Sequence, residues 1–180
     1  MNIKKTSYML FFAVLFAWSV NSGPALAQTG IDAFYGEYAG KVTTDGKITR
    51  ELKLSIQPSK KKGFEIHWST TTFDTAKGKT KSYSVSFVPT ARDSIYSSAM
   101  RRDLFGKLTP MDPLKGDPFV WSKIEGDSLI VYSLLINDNG GYEMQDYIRT
   151  LTKTGLKLNF SRILNGQPQK VITGEYTRVK

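Results

Sequence analysis

The sequence predicts an all-β protein, an up-and-down antiparallel β-barrel of about ten strands. Three observations carry that expectation. Apolar and polar residues alternate with period two through most of the chain after residue 28, short clusters of Gly, Asn, Asp and Lys separate the alternating runs, and no stretch there holds a helical period. The composition agrees: among 180 residues, 40% are hydrophobic, 23% are charged and none is cysteine. That is globular, and it excludes disulfide scaffolds, thiolate metal sites and thiol catalysis.

The N-terminus reads as an export signal. Lys4 and Lys5 give a basic start, Tyr8 to Val20 is an apolar run, and Ala25-Leu26-Ala27 is a small-residue cleavage pattern behind Gly23 and Pro24. The apolar run is shorter than the roughly 20 residues a membrane-spanning helix needs. Cleavage before Gln28 is expected, leaving a single barrel domain over 28–180 and no transmembrane span. The leader removes two lysines and no acid, so the formal charge of +9 falls but stays strongly positive. The absence of cysteine in an exported domain points to a bacterial periplasm, with secretion as the alternative.

The strands follow in order. Phe34 to Thr44 opens the chain. Leu52, Leu54 and Ile56 alternate with Glu51, Lys53 and Ser55; Phe64, Ile66 and Trp68 with Glu65, His67 and Ser69; Tyr83, Val85 and Phe87 with Ser82, Ser84 and Ser86. Asp45-Gly46, Pro58 to Gly63 and Asp74 to Lys79 are the turns between them. A weaker run, Ser94 to Met100, precedes Phe119–Lys123, Leu129–Ile136, Tyr142–Thr152, Leu156–Leu164 and Lys170–Val179. Counting the weak run makes ten, and an even number lets an antiparallel meander close and hide its edges. A two-sheet sandwich is the rival. A barrel of this size has room for a small ligand.

The single long connection, Arg101 to Asp117, carries Leu104, Phe105, Leu108, Met111 and Leu114 among turn residues. It is read as a lid over the open end, or as a loop folded onto the barrel rim.

Both ends of the domain resemble the calycin superfamily, which holds the lipocalins and fatty-acid-binding proteins. Phe34-Tyr35-Gly36-Glu37-Tyr38 resembles the Gly-x-Trp motif of the first lipocalin strand, with Tyr38 in place of tryptophan. Arg178 resembles the arginine that packs on that residue, and Thr177-Arg178-Val179 resembles the last strand of fatty-acid-binding proteins. The resemblance implies a barrel that binds lipids, pigments or other apolar molecules. It departs from the family in lacking the tryptophan and in placing the longest connection in mid-chain, and no ligand residues carry over.

Catalytic chemistry finds little footing. The one histidine, His67, falls on a polar strand face beside Glu65 and Ser69, which predicts solvent exposure. One histidine and no cysteine leave no metal spacing, so no metal or other cofactor is expected, and no nucleophilic triad. Asn137 to Gly140 lacks the ligand spacing of a calcium loop and reads as a tight turn. Glu125 and Asp127 flank a turn glycine. Lys60-Lys61-Lys62 reads as a solvated turn. The pI near 9.6 favours anionic partners, but the aromatic residues alternate as core rather than as a stacking platform, so nucleic acid is not expected.

The sharpest candidate site lies inside the barrel. Leu156, Leu158 and Phe160 define an inward face that continues to Arg162, and a buried arginine requires a partner. A three-residue Lys153-Thr154-Gly155 loop with a left-handed glycine sets Thr152 opposite Leu156, Asp146 opposite Arg162 and Ile148 opposite Phe160. The turn before it sets Ile136 opposite Tyr142 and Tyr132 opposite Asp146. Tyr132, Asp146 and Arg162 are then either a site for a ligand carboxylate or phosphate, or a structural ion pair at the rim. A two-residue Asn165-Gly166 turn sends Tyr176 and Arg178 outward unless a bulge restores parity. The function expected is binding of a small apolar or amphipathic, anionic ligand, with lipids among the candidates, by a monomer. The alternative is a non-enzymatic envelope protein acting through its basic surface and the 101–117 loop.

Overall fold

The computed structural model describes residues 29–44, 47–73, 78–98, 101–102, 108–109 and 111–179; the leader reading at 1–27 lies outside them. The strands are β1 Gly36–Thr44, β2 Lys47–Pro58, β3 Phe64–Thr72, β4 Lys79–Pro89, β5 Ile95–Ser98, β6 Arg101–Arg102, β7 Leu108–Thr109, β8 Phe119–Glu125, β9 Ser128–Ile136, β10 Tyr142–Leu151, β11 Gly155–Leu164 and β12 Gln167–Arg178. Ten of them close an antiparallel barrel in the order β1-β12-β11-β10-β9-β8-β5-β4-β3-β2, while β6 and β7 pair with each other as a separate ribbon. This is the up-and-down barrel that the alternation predicts. The even count rests on the short β5, which joins Phe87–Pro89 of β4 to Trp121–Lys123 of β8.

The inward faces change character with height. At the lower end, where β1 begins and β12 ends, Ile56, Phe64, Ile66, Phe87, Ile124, Leu129 and Leu156 pack together fully or nearly buried. A single 3-10 turn at Ile31–Phe34 closes this end, with Phe34 fully buried. Phe64 stacks on Phe87 at 4.8 Å between ring centroids and meets Tyr96 edge-on at 4.9 Å. Higher up, the same strand faces turn aromatic and then cationic: β4 reads Phe87, Val85, Tyr83, Lys81, Lys79 and β11 reads Leu156, Leu158, Phe160, Arg162. The apolar half fills the barrel, and the polar half leaves it hollow.

Closure depends on glycine where β1, β12 and β11 meet. A Cβ on Gly40 would lie 2.2 Å from the Glu175 carbonyl oxygen, and one on Gly155 would lie 2.1 Å from that of Tyr176. No side chain fits in either place. A bulge between Arg162 and Ile163 shifts the β11–β12 register by one residue. It follows the Asn165-Gly166 turn, whose two residues sit at φ 49° and 78°, the paired left-handed conformation of a two-residue hairpin loop. The bulge restores the parity that the turn alone would invert, so Tyr176 pairs with Leu156 and is 4% exposed inside the barrel.

The β10–β11 register differs from the sequence expectation by one residue. Leu151, not Thr152, pairs with Leu156, so Asp146 faces Ser161, Ile148 faces Asn159 and Tyr147 faces Phe160. The loop is Thr152 to Gly155, closed by a 2.9 Å hydrogen bond from the Thr152 N–H to the Gly155 carbonyl and a 3.0 Å bond from the Gly155 N–H to Thr152 Oγ1. Gly155 is not left-handed. Its missing side chain serves the close approach of β12 instead of the turn.

Candidate functional site

The slip divides the predicted trio. Arg162 does face inward, but Asp146 and Tyr132, which pair with each other as expected, face outward. Asp146 accepts a 3.1 Å hydrogen bond from Ser161 Oγ, and Tyr132 stacks on Trp121 at 5.0 Å between centroids. Neither reaches the interior. Arg162 instead donates from Nη2 to Glu143 Oε2 at 2.6 Å. Of the predicted lid residues, Leu104 and Phe105 lie outside the described residues, and Leu108 is described only as backbone, in β7. Met111 is half-buried and borders an apolar chamber with Pro118, Val120, Val131 and Leu135. Leu114 is 80% exposed. His67 is exposed on the outer face, 3.4 Å from Glu65.

The hollow upper half is a cavity of about 590 Å³. Its floor is Leu52, Trp68, Tyr147, Leu158, Phe160 and Tyr176, and its upper wall carries Arg50, Lys79, Lys81, Arg162 and Lys170 with, among the described residues, a single acid, Glu143. The apolar chamber, about 560 Å³, adjoins it and shares Trp68, Tyr83, Gln145 and Tyr147 as a partition.

At the floor stands Arg149, 1% exposed. Its guanidinium carbon lies 5.4 Å from the Tyr147 ring centroid and 5.8 Å from that of Trp68. Tyr147 is wedged against Phe160 at 4.8 Å and Trp68 at 5.6 Å, which fixes this cage. Among the described residues no carboxylate pairs with Arg149, and its Nε and Nη1 donors have no hydrogen-bond partner. Magnitudes decide what this means. Two desolvated cation–π contacts are worth about 2 kcal/mol each. Burying the charge costs several kcal/mol, and each unmet donor adds about 1–3 kcal/mol. The rings offset only part of the cost.

The electrostatics reflect the same burial. Desolvation pulls the Arg149 guanidinium below its ordinary pKa, opposed by Tyr176 and Tyr147. Burial pushes the Tyr147 hydroxyl up to about 12, against the pull of Arg149, and raises Tyr176 likewise. A polar chain runs down β10 toward this cage. Arg162 donates to Glu143, Gln145 Nε2 donates to Glu143 Oε1, and the Tyr147 hydroxyl donates to Gln145 Oε1 at 2.8 Å. The hydrogen bond from Arg162 holds the Glu143 carboxyl below the usual carboxylate range, opposed by desolvation and aided by a weaker contribution from Gln145.

Sequence reasoning missed Arg149, Glu143 and Tyr147, which share the inward face of β10 with Leu151. The signal was a basic residue between Tyr147 and Leu151 at the parity of an apolar face; the one-residue slip at Gly155 hid it.

At the lower end, Arg178 lies over Tyr38 at 5.2 Å and donates from Nη2 to the Tyr38 hydroxyl and to the Ala33 carbonyl, each at 2.8 Å. No described helix is long and apolar enough to cross a membrane, and the described residues hold no cluster of three or more His, Cys, Asp or Glu. Comparison with known protein families, curated proteins and solved structures returned no match.

Proposed function

We propose that the barrel is an exported binding protein for a small amphipathic anion, whose acidic end meets Arg149 while its apolar body lies against Trp68, Tyr147 and Phe160. The observation that carries this reading is a fully buried guanidinium with two unmet donors, on a residue that lines a hollow cavity. Natural proteins pair their buried charges, and a carboxylate or phosphate supplies a missing acceptor. The Arg178–Tyr38 stack supports the likeness to calycins, and the basic, apolar leader supports periplasmic export with a mature N-terminus at Gln28.

The test is titration of the purified mature domain with biphenyl-4-carboxylate and its neutral carboxamide, followed by tryptophan emission and calorimetry. The acid is expected to bind at least about tenfold tighter than the amide, and Arg149→Met to erase that preference. Equal binding of acid and amide, or a preference that survives Arg149→Met, overturns the reading.

A second reading, a surface interaction protein, is favoured by the aromatic cluster Phe119, Trp121 and Tyr132 on the outer face of β8 and β9, where Phe119 is exposed. Under it the cavity binds neither probe.

A further inference from the structure

We infer that the ligand of this cavity is a rod-shaped dianion, with one anionic group on Arg149 and a second at the mouth, joined by a flat apolar body. The inference rests on the anion site proposed at Arg149 and adds the chemistry of the other end.

Register sets the geometry. Arg162 stands level with Gln145, four residues above Arg149 on the same inward face, and Lys170 is level with Arg162 on β12. Farther round the wall, Arg50 and Lys79 both stand level with Thr72, four residues above Trp68 of the cage. At about 3.4 Å per residue, the four cations form an arc about 14 Å above Arg149 along the strands. They come from four different strands, β2, β4, β11 and β12, within the run β11-β12-β1-β2-β3-β4, so they line one side of the opening over more than half of its circumference instead of forming a run on one strand. Lys81 stands between the two levels.

The charge at this level is unbalanced. Among the described residues Glu143 is the one acid lining the cavity, and it is committed to Arg162. Among the described residues no ion pair holds Arg50, Lys79, Lys81 or Lys170, and Arg162 Nε has no hydrogen-bond partner. Like charges gathered around a low-dielectric opening repel one another unless an anion sits among them. Between the two cationic levels the wall carries Lys81 but is mostly aromatic and aliphatic, with Tyr83, Phe160 and Ile172, which suits an apolar spacer.

The alternative use of a basic mouth is diffuse attraction of any anion, which depends on total charge and not on its spacing. Two probe pairs separate the cases: benzoate with terephthalate, and biphenyl-4-carboxylate with biphenyl-4,4′-dicarboxylate, whose acids are about 10 Å apart and fit the span once side-chain reach is subtracted. Affinities are measured by calorimetry at fixed ionic strength. The second carboxylate is expected to gain at least about tenfold on the biphenyl and under about threefold on the single ring. In the Lys79→Gln/Lys170→Gln variant, shown folded by circular dichroism, the two biphenyl acids should come within about threefold of each other. Equal affinities for the two biphenyl acids, both lost in Arg149→Met, overturn the dianion and leave the Arg149 site standing. Equal gains on both ring sizes also overturn it, in favour of diffuse attraction. Failure of every acid to bind overturns both.

Discussion

Arg178 holds Tyr38 by two kinds of interaction at once, a guanidinium 5.2 Å from the ring centroid and a 2.8 Å hydrogen bond to the hydroxyl. That hydroxyl in turn donates to the buried Phe34 carbonyl at 2.7 Å, so one side chain ties β12, β1 and the closing turn together. Tyr38→Phe leaves the ring and removes both bonds, with an expected cost of about 1–3 kcal/mol in urea unfolding. A double-mutant cycle with Arg178→Met should give a coupling of about 1 kcal/mol. Additive effects would mean that the hydrogen bond from Arg178 to the Tyr38 hydroxyl carries no energy.

The Glu143–Arg162 pair gives a titration prediction. Arg162 lowers the Glu143 pKa from its ordinary 4.5, so the pair contributes stability above that pH and loses it as pH falls through the lowered value. Carboxyl NMR should find Glu143 titrating low, rising toward 4.5 in Arg162→Gln, and unmoved in Asp146→Asn. A Glu143 shift in the asparagine variant would instead place Asp146 in the cavity.

Arg149→Met should stabilise the unliganded protein. An unpaired buried charge replaced by an apolar side chain of similar length typically gains about 1–4 kcal/mol. The gain should accompany the loss of binding, the trade expected where a strained residue serves a ligand. A loss of stability would show that the cage of Trp68 and Tyr147 outweighs the desolvation of the charge.

Gly40→Ala tests the closure. Its Cβ would fall 2.2 Å from the Glu175 carbonyl, a backbone atom that moves only with the strand. Overpacking of this kind costs about 1–3 kcal/mol. Amide exchange should rise first at the β1–β12 pairs Tyr38–Arg178 and Gly40–Tyr176. Ala at Gly30, where nothing lies within 4 Å, should leave exchange unchanged.

The architecture was legible because period-two patterning is written in every strand and parity argued for the weak run that became β5. The turn between β9 and β10 was legible too, since its length sets Ile136 opposite Tyr142, whereas the Asn165-Gly166 hairpin left its register open. The site was less so. Gly155 admits two uses, a left-handed turn or a close approach, and only the position of β12 decides between them. Because strand faces alternate, that one ambiguity exchanged Asp146 for Glu143 and concealed Arg149. The bulge after Arg162 was likewise beyond local reading, since it answers the need to bring Tyr176 and Arg178 back inside.

The closing seam also sets an order of events in biosynthesis. Tyr38 and Arg178 are 140 residues apart, so β1 is made well before its barrel neighbour β12. At about 5–20 residues per second, the interval is on the order of 10 s. Throughout it one edge of β1 is unpaired, a ready template for strands of other copies. Correct assembly therefore waits on β12, and a nascent chain truncated before it is an aggregation seed, not a smaller barrel.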